Sequence, residues 1–159
     1  MSISYEFNTA SYSVEELSDV FGEVLDIGRV KPLAPSPLSG ESWWAAAVTL
    51  DSGEFTDSGE RLQAPGSYTS ITFEPRKSLS WEEQTRGLAR IVATVVDLLA
   101  RKPDSSGFLM FNGDIVVLEK RRGRGIVADP RLVDPDDLDD QGAFVLILVG
   151  CAVEPIDQD

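Results

Sequence analysis

The densest cluster of chemistry-bearing side chains in this sequence lies between residues 129 and 140, where Asp129, Asp134, Asp136, Asp137, Asp139 and Asp140 crowd together. Carboxylates at this density could ligate calcium or magnesium through oxygen. The spacing is wrong for an EF-hand, which needs a central glycine and a terminal glutamate, and Pro130 and Pro135 stiffen the segment. Two other readings remain, a solvated acidic loop and a patch that contacts a basic partner, for which charge complementarity speeds encounter and excludes wrong partners. A second group, Asp51, Glu54, Asp57 and Glu60, sits among serines and glycines in a polar loop or weak extra hairpin between residues 51 and 65.

The residues that would turn carboxylates into a catalytic site are missing. The chain has no histidine, so it lacks the usual general base near neutral pH and the commonest transition-metal ligand. Glu82-Glu83 and Asp136-Asp137 are adjacent pairs, whereas a two-carboxylate hydrolase needs side chains that face one another. Glu82 and Glu83 are better read as first-turn helix acids, Glu83 closing a capping box. No Gly-rich phosphate loop precedes a helix, and no Ser or Cys stands in a nucleophile elbow. Cys151 lies within an apolar run and reads as a buried, inert thiol with no internal disulfide partner. The expectation is a protein without enzymatic activity, cofactor or metal.

Charge narrows the partner class. Asp and Glu number 27 against 14 Lys and Arg, giving a net charge of -13 and a pI near 4.3. Such a surface repels nucleic acid and anionic lipid and attracts basic proteins. Lys120-Arg121-Arg122-Gly123-Arg124 lacks the interleaved aromatics of a nucleic-acid site and reads as a charged turn that keeps a sheet edge soluble, or as a counterion for the acidic loop. Trp43 and Trp44 are consecutive, so on a strand they point to opposite faces, and Trp44 is a candidate binding aromatic if Trp43 is core.

The elements that would position these groups are those of one α+β domain over residues 1–159, with a hydrophobic content of 42% and 26% charged residues. Ser13-Val14-Glu15-Glu16 and Ser80-Trp81-Glu82-Glu83 are capping boxes that start two helices, one ending near Gly28 and the other stopped at Lys102-Pro103. Gly87 inside the second helix implies close packing against a sheet or the other helix. Strands are expected at residues 3–8, 43–50 and 67–74. Phe108–Phe111, Asn112-Gly113 and Asp114–Leu118 form a hairpin signature. A turn at residues 121–125 leads into another strand, and the run 143–149 reads as a final strand buried on both faces. The proline-rich stretch 31–38 reads as a surface connection, too stiff for a central strand. The expected order is β-α-β-β-α-β-β-β, an antiparallel or mixed sheet with both helices on one face. The N-terminus has no readable secretory signal and no apolar run is long enough to span a bilayer, so a cytoplasmic location is expected.

The N-terminal segment Ile3-Ser4-Tyr5-Glu6-Phe7 and, above all, the block from Leu88 through Leu99, Arg101, Pro103-Asp104, Phe108–Phe111, Asn112-Gly113 and Ile115–Leu118 resemble small bacterial immunity proteins of the Sit-type family. The resemblance covers the second helix and the hairpin well, the first strand weakly and the acidic segments hardly at all. It implies an inhibitor of a cognate, basic toxin, possible targets including nucleases, that works by occlusion. The family offers no motif positions for the contact surface, so the candidates come from charge clustering: Asp134, Asp136, Asp137, Asp139 and Asp140, then Asp51, Glu54, Asp57 and Glu60, with Trp44 as an aromatic anchor. The expected state is a monomer or homodimer that binds neither nucleic acid nor membrane. The rival readings are a regulatory or adaptor module that binds a basic protein, and a carboxylate-only metal protein or enzyme.

Overall fold

A computed structural model describes residues 3–25, 28–29, 36–39, 42–51, 61–62, 66–136, 142 and 144–158. Strand β1 (Tyr5–Thr9) leads into helix α1 (Val14–Val24), followed by β2 (Gly28–Arg29), β3 (Ser36–Ser39), β4 (Trp43–Asp51) and β5 (Ser67–Pro75). Helix α2 (Trp81–Arg101) then crosses to β6 (Gly107–Phe111) and β7 (Ile115–Lys120). The chain finishes with β8 (Val127–Ala128), a 3-10 turn (Pro130–Val133), the short helix α3 (Phe144–Ile147) and β9 (Ala152–Val153). Among the described residues the strands join in one sheet, ordered β2-β3-β4-β5-β1-β6-β7-β8-β9. Every pairing is antiparallel except β8 with β9, so the sheet is mixed.

Both long helices begin where the sequence places their caps. Ser13 Oγ accepts from the Glu16 N–H at 3.1 Å while Glu16 accepts from the Ser13 N–H at 3.0 Å. Ser80 and Glu83 repeat this reciprocal pair at the start of α2. The Ser13 backbone N–H, with help from its hydroxyl, holds the Glu16 carboxyl below the ordinary glutamate value. A carboxyl depressed by folding stabilises the protein fully above its unfolded pKa, and that contribution is lost as pH falls through the folded value. Ser13→Ala is expected to cost about 1 kcal/mol at pH 7 in urea unfolding. Glu16→Gln should flatten part of the acid limb of stability, so that variant and parent converge at low pH.

The main core lies between one sheet face and the long helices. Tyr5 and Phe7 of β1, Trp43, Ala45 and Ala47 of β4, and Ile71 and Phe73 of β5 meet Leu17 and Phe21 of α1 and Leu88, Ile91, Val95 and Leu99 of α2. These strand positions alternate, as the period of two requires. The α+β reading with both helices on one face therefore holds. Gly87 is the point of closest approach: a Cβ built there would stand 2.4 Å from Trp43 Cζ2, so α2 packs directly on the indole.

The opposite face is only partly covered. Leu62, Tyr68, Phe108, Val116 and Ile156 form a second, smaller cluster on it. The C-terminal residues hold this cluster down: Gln158 Oε1 accepts from the Val116 N–H at 2.7 Å, and its Nε2 donates to the Val116 carbonyl at 3.0 Å. A register shift between β6 and β7 lets Val116 serve the second cluster while Val117 and Leu118 both serve the main core.

The hairpin forms as expected, with positive φ at Asn112 (52°) and Gly113 (75°). Because β6 pairs with β1 and β7 with β8, this hairpin lies inside the sheet and offers no edge to a second copy.

The expected order β-α-β-β-α-β-β-β is not met in full, because the short strands β2, β3 and β9 are added and a helix stands where the last apolar run was expected to be a strand. The run 143–149 is no doubly buried strand: Phe144–Ile147 is helical, and while Phe144 and Leu148 are buried, Val145, Leu146 and Val149 are exposed. An unbroken apolar run carries no period, so it cannot distinguish a strand from a short helix. Part of the proline-rich stretch is a strand after all, Ser36–Ser39 pairing with β4. Among the described residues β2 pairs with Leu38 and Ser39 and not with Pro37, which has no N–H to give a ladder. Pro32 and Pro35 lie outside the described residues.

Candidate partner-binding surfaces

Of the carboxylates singled out from the sequence as contact candidates, the three that are described, Asp134, Asp136 and Asp51, fall in two separate parts of the chain. Asp134 and Asp136 are exposed in the turn that follows the 3-10 segment, where Asp134 Oδ1 accepts from the Asp136 N–H at 2.9 Å. Asp51 is exposed at the end of β4. From β4, which ends at Asp51, to β8, which precedes the turn that carries Asp134, there are five strand steps of about 4.8 Å each, so these strands lie roughly 24 Å apart across the sheet. Asp137, Asp139, Asp140, Glu54, Asp57 and Glu60 lie outside the described residues.

Asp129, at the head of the acidic segment, has a structural task. It is buried and caps the 3-10 turn, Oδ1 accepting from the Arg131 N–H at 3.1 Å and pairing with Arg131 Nε at 3.2 Å. Its Oδ2 accepts from the Ile156 N–H at 3.1 Å, fixing the C-terminal segment. Among the described residues, no group of three or more Asp, Glu, Cys or His stands together in a way that could hold a metal ion.

The basic cluster also divides. Lys120 is buried, its ammonium donating to the Pro103 and Ser105 carbonyls at 2.8 and 2.7 Å, and this burial lowers its pKa. Arg121 pairs with Glu119 at 3.1 Å, and Glu119 also pairs with Arg61, whose guanidinium lies over the Phe108 ring. Arg122 and Arg124 are exposed. Lys120 and Arg121 therefore brace the sheet.

Trp43 and Trp44 separate as the strand period requires, Trp43 buried in the main core and Trp44 half-buried on the opposite face. Glu74 stands across the ladder from Trp44, and Glu6 nearby holds Asn8 and Ser70 through one oxygen, at 3.0 and 3.2 Å. On the helical side an open groove of about 330 Å³ runs over Trp43 and Gly87 between Leu25 and Leu79. Arg86 and Arg90 rim this groove, which suits it poorly to a cationic partner.

The surface that sequence reasoning missed lies at the C-terminal edge. Among the described residues the exposed large hydrophobics are Trp81, Val145, Leu146, Val149 and Val153, so all but one fall between 145 and 153. Leu146 is 79% exposed and Val149 76%. The sequence signal was the pair Gly142 and Gly150, both at positive φ (67° and 93°), bracketing the segment too tightly for a long strand. Cys151 beside it, expected to be buried, is only half-buried against the main core, because it lies beyond the short helix where the chain turns to the sheet edge, and what burial it has pushes its thiol pKa up.

No helix among the described residues is long and apolar enough to cross a membrane. No protein-family model, curated protein or solved structure matches the chain.

Proposed function

We propose that this chain is an acidic, non-enzymatic immunity protein of the cytoplasm, which binds a basic protein toxin and blocks its active site or substrate surface. The observation that carries the reading is the net charge of -13, part of it displayed on the exposed carboxylates Asp134 and Asp136 over a rigid two-layer core. An inhibitor of a cationic protein gains from a negative field, because steering raises the association rate, and it needs no catalytic group of its own. The resemblance of the α2-to-β7 block to Sit-type immunity proteins supports the same conclusion.

The test is affinity capture of the tagged chain from its source cells at low and at high salt, followed by binding kinetics and a growth-rescue assay with the protein recovered. The expected result is one basic toxin domain whose toxicity is relieved by co-expression. Asp134→Lys with Asp136→Lys should slow its association about tenfold at low salt, the difference shrinking as salt screens the field. A recovered partner that is harmless to cells would replace the immunity reading with that of an adaptor for a basic protein.

A further inference from the structure

We propose that the outer side of α3 together with the β9 edge is the apolar anchor of the contact with the basic partner. The inference rests on the function proposed above and assigns the surface that carries it. Val145, Leu146, Val149 and Val153 are 52%, 79%, 76% and 49% exposed within nine residues of chain. Single exposed aliphatics are ordinary, but four within nine residues of chain, two on one short helix and a third two residues beyond it, mark a surface that another molecule covers.

The anchor is rigid before it binds. Phe144 and Leu148 are buried in the main core one helical turn apart, and the Leu148 N–H donates to the Phe144 carbonyl at 3.0 Å. The Ala152 N–H donates to the Ile126 carbonyl at 3.1 Å and the Glu154 N–H to the Ala128 carbonyl at 3.0 Å, which fixes the edge strand. A backbone already held in place loses little freedom on binding.

Charge selects the occupant. The 3-10 turn that packs against α3 runs directly into exposed Asp134 and Asp136, and Val153 is followed by exposed Glu154, which lines a shallow pocket with Asp157, Arg121 and Arg124. An apolar centre with Asp134 and Asp136 on one side, in a chain of net charge -13, fits a cationic protein surface with an apolar depression at its middle. A second copy fits poorly, since pairing this edge would bring the same carboxylates together on two chains that each carry -13. A lipid surface fits poorly for the same reason, because anionic headgroups would face the same carboxylates.

The test introduces a photo-crosslinking residue into the full chain in its source cells as Leu146→benzoylphenylalanine, with Arg90→benzoylphenylalanine on α2 as the comparison. The expected result is an adduct with one basic protein from position 146 and none from position 90. The purified pair should then lose affinity at least tenfold with Leu146→Asp or Val149→Asp and keep it with Leu146→Met, while thermal melting of the free chain is unchanged. An adduct from position 90 alone would overturn the anchor and leave the immunity reading standing. Adducts of the chain with itself would overturn the choice of occupant. So would sedimentation with phosphatidylcholine–phosphatidylglycerol vesicles that Leu146→Asp abolishes. No adduct from either position would remove both the anchor and the function it rests on.

Discussion

Phe21→Ala is expected to destabilise the protein by about 3–5 kcal/mol, the cost of emptying a fully buried aromatic site. Phe21 and Leu17 are the large side chains through which α1 docks on the sheet. The Phe21 ring is fully buried and packs edge-on against Phe73 of β5 at 4.7 Å and against Phe7 of β1 at 6.4 Å. Truncation forfeits both aromatic contacts along with the transfer energy. The surrounding strands are held by ladders on both sides and cannot collapse into the space. In a chain of this length each kcal/mol shifts the melting temperature by about 2–4 °C, so a drop of roughly 6–20 °C should follow. The urea midpoint should fall with little change in slope. Leu146→Ala, at a site 79% exposed, is the control and should stay within about 0.5 kcal/mol of the parent. A loss under about 1 kcal/mol for Phe21→Ala would mean that α1 is not docked on the sheet as described.

The contrast between these two residues is also the contrast between what the sequence discloses and what it hides. Phe21 falls within the helix that the Ser13 capping box starts, and a cap fixes where a helix begins. Asn112-Gly113 was legible for a similar local reason, since few residue pairs tolerate two positive φ angles in succession. Leu146 was not legible. In Phe144-Val145-Leu146-Ile147-Leu148-Val149 every residue is apolar, so no alternation reveals which side chains the core takes, and tertiary packing of Phe144 and Leu148 decides it. The same limit applies to the acids. Asp129 and Asp134 are equivalent by composition, yet one has both oxygens committed to Arg131 and Ile156 while the other is exposed. That Asp51 lies across the sheet from Asp134 depends on a strand order set by long-range pairing, which local patterns do not encode.

Gly87→Ala offers the sharpest test of how α2 sits on the sheet, because local propensity and packing predict opposite signs. In an exposed helix interior the change would stabilise by roughly 0.5–1 kcal/mol, through restriction of the unfolded chain. Here the added methyl would lie 2.4 Å from Trp43 Cζ2, 2.5 Å from Nε1 and 2.6 Å from Cε2, far inside the separation of about 3.5 Å at which carbon atoms make favourable contact. Trp43 cannot swing aside, since it is 3% exposed and Tyr5 packs against it at 6.2 Å. Relief must come from α2 lifting off the sheet, which would loosen Leu88 and Ile91 as well. A net loss of about 1–3 kcal/mol is expected. The double variant Gly87→Ala with Trp43→Phe decides the cause, because a smaller ring vacates the space the methyl needs. The two changes should be less damaging together than their sum, with a coupling of about 0.5–3 kcal/mol in urea unfolding. Strict additivity would show that the helix and the indole do not meet at this point. Because Gly87 and Trp43 also floor the groove rimmed by Arg86 and Arg90, while Leu146 lies on the far C-terminal edge, Gly87→Ala should weaken folding and leave affinity for a basic partner unchanged once measured on the folded fraction.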